Sequence, residues 1–208
     1  MDIYFLNKDT LTYDDETHTY YLNGERVMSI TEAMKLVNDK YKLISNKVLA
    51  NAQMRGNRVH FEISAFEEYN YKDLEATEEF RNYLVLKRAF NWEYLGGERP
   101  VVVRYKGFTL AGRFDLLLRL NGEKLIADVK TTSAYDKKYV ALQTELYALG
   151  YNQTYPKEEP VTNTAGIHLN QNKYKFDRFL PKVDVDWFFV QLGKALEEKR
   201  GEEQCSQQ

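Results

Sequence analysis

The amino-acid sequence predicts an α/β (α+β) domain with a mixed central β-sheet flanked by helices. Three observations carry this expectation. Long helical stretches come first, then β-rich segments joined by glycine turns, then a helix, further strands and an amphipathic closing helix. Helix and strand blocks in that order pack as layers around one sheet.

The elements follow in chain order. Thr19-Tyr20-Tyr21-Leu22 and Glu25-Arg26-Val27-Met28 flank Asn23-Gly24, which predicts a hairpin with a type I′ turn. Ser29-Ile30-Thr31-Glu32 is a capping box that opens a short helix to about Val37. Helical sequence then runs from about Ser45 to Tyr69, broken in propensity only by Gly56, and from about Thr77 to Trp92. Pro100–Tyr105, Phe108–Leu120 and Lys124–Lys130 read as an antiparallel meander with turns at Lys106-Gly107 and Asn121-Gly122. Tyr139–Asn152 carries Leu142, Leu146 and Leu149 on one helix face, and residues 163–180 read as two strands. Asp184–Arg200 closes the chain with Trp187, Phe188, Leu192 and Leu196 on its apolar face.

A chain of 208 residues predicts one domain. Its expected parts are a hairpin and short helix (1–40), a core (41–180), and a C-terminal helix and tail (181–208). No apolar run approaches the roughly 20 residues that span a bilayer, so no membrane association is expected. The opening Met1-Asp2-Ile3-Tyr4-Phe5-Leu6-Asn7-Lys8 has no basic region followed by an apolar one. Cys205 is the only cysteine, which excludes an internal disulfide and an iron–sulfur cluster and points to a reducing cytoplasm.

The net charge is −2, but it is unevenly spread. Residues 62–79 carry Glu62, Glu67, Glu68, Asp73, Glu75, Glu78 and Glu79 against Lys72 alone, whereas residues 99–150 have a basic excess. Local field rather than total charge steers a polyanion, so the central stretch is where chemistry is sought.

There, Asp128 and Lys130 are two apart in Leu125-Ile126-Ala127-Asp128-Val129-Lys130 and share one strand face. A hairpin about Asn121-Gly122 sets Asp115, in Arg113-Phe114-Asp115, opposite Asp128. Two facing carboxylates repel unless a cation lies between them, and oxygen ligands favour hard ions such as Mg²⁺ or Mn²⁺. The lysine can hold a phosphate oxygen or orient and deprotonate an attacking water, which suits phosphodiester hydrolysis. A surface ion-pair ladder is the plainer alternative.

Two features add to this cluster. Gln143 and Tyr147 share a face of the helix that follows the Asp128–Lys130 strand. His60 stands four residues after Gly56, and a glycine inside a helix suggests a close backbone approach. Neutral imidazole is a ligand for Mn²⁺. His18 and His168 lack such context and read as structural.

Arg-Gly-x-x-x-His, Gly-Arg-Phe-Asp, Asp-Val-Lys-Thr and Gln-x-x-x-Tyr, in this order over about residues 17–150, resemble the PD-(D/E)XK nuclease superfamily. The likeness is to its RecB-like branch. The opening Thr17–Gly24 through Ser29-Ile30-Thr31 resembles phage-type and mitochondrial single-domain exonucleases of that branch. The resemblance implies a restriction-endonuclease-like core and Mg²⁺-dependent DNA hydrolysis, with Mn²⁺ able to substitute. It implies metal ligation by His60, Asp115, Asp128 and the Val129 carbonyl, with Lys130 as the catalytic lysine. Gln143 and Tyr147 then stand on the substrate side, with Arg55, Arg113 and Thr131 from the same motifs. Phe114 replaces the proline that names the motif. Single-stranded or duplex DNA ends are the implied partner, with a single-strand annealing or single-strand-binding protein as companion, in phage or mobile-element recombination or replication.

An exonuclease is the leading expectation. An endonuclease of the same fold acting on branched or nicked DNA is a second reading. A non-catalytic nucleic-acid-binding module is disfavoured because every ligand and the lysine are present. A purely structural domain leaves Asp115, Asp128 and Lys130 unexplained.

Overall fold

The structure, a computed structural model, describes residues 1–38, 46–71, 73, 75–179 and 183–205. The expected helix start at Ser45, Lys72 of the acidic stretch, and the expected part boundaries near 40 and 180 lie outside the described residues.

Among the described residues nine strands and five helices appear in the order β1 (Asp2–Leu6), β2 (Asp9–Asp14), β3 (Thr19–Leu22), β4 (Glu25–Ser29), α1 (Ile30–Val37), α2 (Asn46–Tyr69), α3 (Glu78–Phe90), β5 (Glu93–Tyr105), β6 (Phe108–Leu120), β7 (Glu123–Lys130), α4 (Lys137–Thr154), β8 (Asn163–Leu169), β9 (Tyr174–Arg178) and α5 (Val185–Cys205). The sheet runs β1-β2-β3-β4-β6-β7-β8-β9, with β5 also paired to β6. β5 follows almost the whole length of β6. β4 and β7 therefore share the other edge of β6, β4 along its start and β7 along its end. The β4–β6 and β7–β8 pairings are parallel and the others antiparallel, which makes the sheet mixed, as expected.

Local chemistry accounts for most boundaries. Asn23 and Gly24 have φ values of 53° and 88°, as the type I′ turn requires. Ser29 and Glu32 form the reciprocal capping box of α1. Asn91, in the left-handed region at φ 51°, ends α3 at Phe90, two residues short of the expected Trp92. Asp136 accepts from the Lys138 and Tyr139 N–H groups, so α4 starts earlier than the apolar spacing alone suggests.

Two layers of core enclose the sheet. On one face Ile30, Met34, Leu146, Tyr151, Phe188 and Leu192 from α1, α4 and α5 pack on β5–β7. On the other face Val59, Ile63, Phe80, Tyr83 and Leu86 from α2 and α3 pack on β6–β8. Each fully buried Leu, Ile or Phe contributes about 1.5–3 kcal/mol by leaving water. No helix among the described residues is long and apolar enough to cross a membrane.

Two features differ from the sequence reading. The hairpin of residues 19–28 is the end of a four-stranded N-terminal meander, whose β1 and β2 bury Leu6, Leu11 and Tyr13 with Val102 and Ala111. The strand expected to begin at Pro100 begins at Glu93. It is irregular, with a register shift between Tyr94 and Gly96 and Glu98 at φ 49°.

Candidate active site

The site forms where the sheet changes character at Asp115. Leu110 and Phe114 of β6 pack against the α1, α4 and α5 layer, whereas Leu116 and Leu118 pack against α2 and α3. Even-numbered residues thus change face beside Asp115. Both ladders are interrupted there. The β6–β7 register pairs Leu116 with Ala127 and continues no further toward Asp115 and Asp128. The β5–β6 register runs from Gly97–Leu116 to Arg99–Phe114 and omits Glu98 and Asp115. The expected hairpin register is the one observed from Leu116–Ala127 to Leu120–Glu123, and Glu98, Asp115 and Asp128 lie just past the points where the two ladders break.

Asp115 reaches both ways from this break. Its Oδ2 accepts from the Val129 N–H at 2.6 Å, in place of a ladder bond. Its Oδ1 lies 3.8 Å from His60 Nδ1. His60 Nε2 is 3.2 Å from the Val129 carbonyl oxygen. Donation by Nε2–H to that carbonyl leaves the Nδ1 lone pair facing Asp115 and Glu98, whose Oε1 is 4.0 Å away. Ligand atoms of His60, Glu98 and Asp115 all lie within 4.8 Å of one another, a set that fits a hard divalent cation.

Glu98 is absent from the sequence reading. The strand was expected to start at Pro100, and the available signal was Gly96-Gly97 directly before the acid. A Cβ on Gly97 would stand 2.5 Å from the Asp115 carbonyl oxygen, so glycine is what lets β5 lie this close to β6. Burial pushes the Glu98 carboxyl above its ordinary range, and the charge of Asp115 adds to this. Arg113, which donates to Glu98 at 2.8 Å, and His60 oppose it.

Asp128 lies deeper, at 2% exposure. Lys130 Nζ donates to its Oδ1 at 2.9 Å, and Oδ2, 2.7 Å from the same ammonium, makes no hydrogen bond. Burial raises the Asp128 carboxyl to about 6, against the lowering effect of Lys130. Burial disfavours the Lys130 ammonium too, but Asp128 and Asp115 outweigh it and hold the lysine above its usual range. One ammonium serves two carboxylates, so the cation is well satisfied and the anions are in excess.

The remaining expected residues divide. Arg113, Val129, Lys130 and Thr131 line the same 610 Å³ cleft as His60, Glu98 and Asp115. Gln143 and Tyr147 are buried behind it, at 4% and 5% exposure, with the Gln143 amide donating to the Tyr147 hydroxyl at 3.2 Å. Burial pushes the Tyr147 phenol well above its ordinary range. Arg55 points to α3, where it pairs with Glu79 at 2.8 Å. A Cβ on Gly56 would stand 3.5 Å from Thr131 Oγ1, an ordinary contact, so the backbone approach expected there is not a tight one. His168 bonds the Thr132 carbonyl at 2.8 Å and stacks on Tyr135, and His18 bonds Tyr13 at 2.6 Å.

The charge asymmetry is largely spent inside the fold. Arg99, Arg104, Lys106, Arg113 and Lys137 pair with Glu158, Asp9, Asp186, Glu98 and Asp177. Glu62, Glu67 and Glu79 hold α2 and α3 together through Thr77, Tyr83, Lys87 and Arg55.

A model of the PD-(D/E)XK nuclease superfamily matches residues 29–202. The chain is also similar to a solved structure described as the crystal structure of SSO0001, with 14% identity and a TM-score of 0.47 over 79% of this chain and 74% of that one. No curated protein matches the sequence.

Proposed function

The chain belongs to the PD-(D/E)XK nuclease superfamily, and from that premise we propose that it is a Mg²⁺-dependent DNA exonuclease, with Mn²⁺ able to substitute. The observation that carries this reading is the convergence of His60, Glu98 and Asp115 beside Lys130 in one cleft. His60 Nδ1, Glu98 and Asp115 would hold the ion, and Asp128, ion-paired to Lys130 behind them, would join them if an oxygen turned from the ammonium to the ion. Such an ion polarises a phosphodiester and lowers the pKa of an attacking water.

The protein's own groups do the rest. Lys130, favoured as the ammonium, donates to a non-bridging phosphate oxygen and stabilises the charge of the transition state. The Val129 carbonyl orients His60 and so fixes its tautomer. Gln143 and Tyr147 back the floor of the site through their mutual hydrogen bond.

We favour cutting from ends over internal cutting because several separate parts of the chain line the cleft. α2 contributes His60, β5 Glu98, β6 Asp115 and the N-terminal meander Tyr13 and His18. A strand end enters such a cleft more readily than a continuous duplex. We place the activity in phage or mobile-element recombination or replication in a cytoplasm, alongside a single-strand annealing or single-strand-binding protein.

End-labelled linear DNA, circular single strands and closed duplex, incubated with Mg²⁺, Mn²⁺ or EDTA, test the proposal. Linear DNA should shorten from an end with either ion and not with EDTA, and both circles should resist. Rapid cutting of both circles would favour the endonuclease reading. No cutting of any DNA with either ion would end the nuclease proposal.

A further inference from the structure

The cleft carries one large apolar side chain that the fold does not use. Phe61 follows His60 on α2 and lines the cleft together with Asp115, Val129 and Lys130, yet it is 68% exposed. It also borders a smaller hollow of 140 Å³ with Arg58 and Glu62, so the ring forms a ridge between the two depressions. A solitary exposed phenylalanine is ordinary on a protein surface. This one stands at the rim of a site otherwise lined on α2 by Gln53, Gly56, Asn57, His60 and Ser64. Those neighbours are polar or small, so on the cleft side the ring stands alone, while on its other side Ala65, Tyr71 and Phe80 share the smaller hollow with it.

Further aromatic rings line the cleft. Tyr13 and His18 from the meander line the same cleft. Tyr13 is fixed there by its bond to His18 and by the Arg113 guanidinium 5.3 Å from its ring centre. A cleft lined by a hard-cation ligand set, a lysine and aromatic rings, of which Phe61 is the exposed one, matches the parts of one nucleotide. The phosphate meets the floor and the flat base meets a ring.

We propose that Phe61 is a stacking platform for the unpaired base next to the scissile phosphate, and that the substrate class is therefore single-stranded DNA or a frayed single-stranded end. In a duplex every base face except the outer face of a terminal pair is covered by its neighbours, so beside an interior phosphate Phe61 can stack only on a base that has left the helix. Stacking on an aromatic side chain is tolerant of base identity, which suits a degradative enzyme. This inference rests on the nuclease reading of the cleft and adds its strand preference.

The test reads binding separately from turnover. In full-length protein carrying Lys130→Ala, with Mg²⁺, a single-stranded oligonucleotide with 2-aminopurine at its terminal positions is titrated, beside a blunt duplex of the same sequence. Phe61→Ala should weaken single-strand binding about ten-fold and abolish the quenching of 2-aminopurine, while moving duplex binding by less than about two-fold. Phe61→Trp should restore both binding and quenching, and Phe61→Leu, apolar but without a ring, should restore neither. Unchanged single-strand binding by Phe61→Ala, equal losses on both DNAs, or rescue by leucine as complete as by tryptophan would each overturn the proposal. Digestion by the wild-type chain separates the two readings. A wild type that cuts DNA while Phe61→Ala binds normally sinks the stacking role alone, whereas a wild type that cuts no DNA sinks the nuclease reading.

Discussion

Asp115 Oδ2 accepts the backbone N–H of Val129 at 2.6 Å, while Oδ1 of the same carboxylate lies 3.8 Å from His60 Nδ1. One side chain therefore closes the gap where β6 and β7 part and faces the ligand set.

The two roles of Asp115 separate by mutation. Asp115→Asn can still accept the Val129 N–H, so melting with EDTA should change little. The lost charge should weaken Mn²⁺ binding by more than the roughly 10–100-fold that outer-shell changes cost. Asp115→Ala loses both functions, and leaving that N–H without a partner should cost a further 1–3 kcal/mol or so of stability. Calorimetric titration and thermal melts of the two variants check this, and equal melting of both would show that the backbone bond does not matter.

Lys130→Ala should slow single-turnover cleavage by about 10²–10⁴-fold. Mn²⁺ binding should persist or tighten, because a positive charge beside Asp128 and Asp115 is gone. Loss of metal binding together with folding would identify Lys130 as structural.

Asp128 makes metal stabilisation depend on pH. Its carboxyl is raised by burial from 3.8 to about 6 in the folded, metal-free chain. A raised carboxyl favours folding at low pH, and that contribution is lost as pH rises through the window from about 4 to 6. Above it the buried anion is a burden that a cation relieves. The rise in melting temperature on adding Mg²⁺ should accordingly be small near pH 5 and reach a plateau above about pH 7. A shift independent of pH would remove Asp128 from the ligand set.

Two glycines on either side of the cleft should behave oppositely. Gly97→Ala drives a Cβ into the Asp115 carbonyl and should cost about 1–3 kcal/mol through overpacking, with loss of metal affinity. Gly56→Ala sits in helix α2 at contact distance from Thr131 and should gain about 0.5–1 kcal/mol from helix propensity. Thermal melts of the two variants with EDTA compare them directly, and destabilisation by Gly56→Ala would show that the α2 backbone does need glycine there.

What the sequence determined by itself was what local chemistry encodes. Turn residues and the capping box specified the hairpins and α1. The Asn121-Gly122 turn set the β6–β7 register from Leu116–Ala127 to Leu120–Glu123, which brings Asp115 and Asp128 to the end of the ladder. The motif order around His60, Asp115, Asp128 and Lys130 marked the family. Only the tertiary structure decided the rest. Glu98 enters the site because a register shift and a left-handed residue bend β5 toward Asp115, and neither has a periodic signature. Asp128, although brought to the same ladder end as Asp115, is buried against Lys130, because the ladder stops at Leu116 and Ala127 and the two carboxylates no longer share a surface. Gln143 and Tyr147 satisfy the helical spacing for a substrate-facing pair, yet the packing of α4 on the sheet buries both. Residue spacing along an element is set by backbone geometry. How deep a side chain lies and which charge it meets depend on the elements packed over it, and those come from distant parts of the chain.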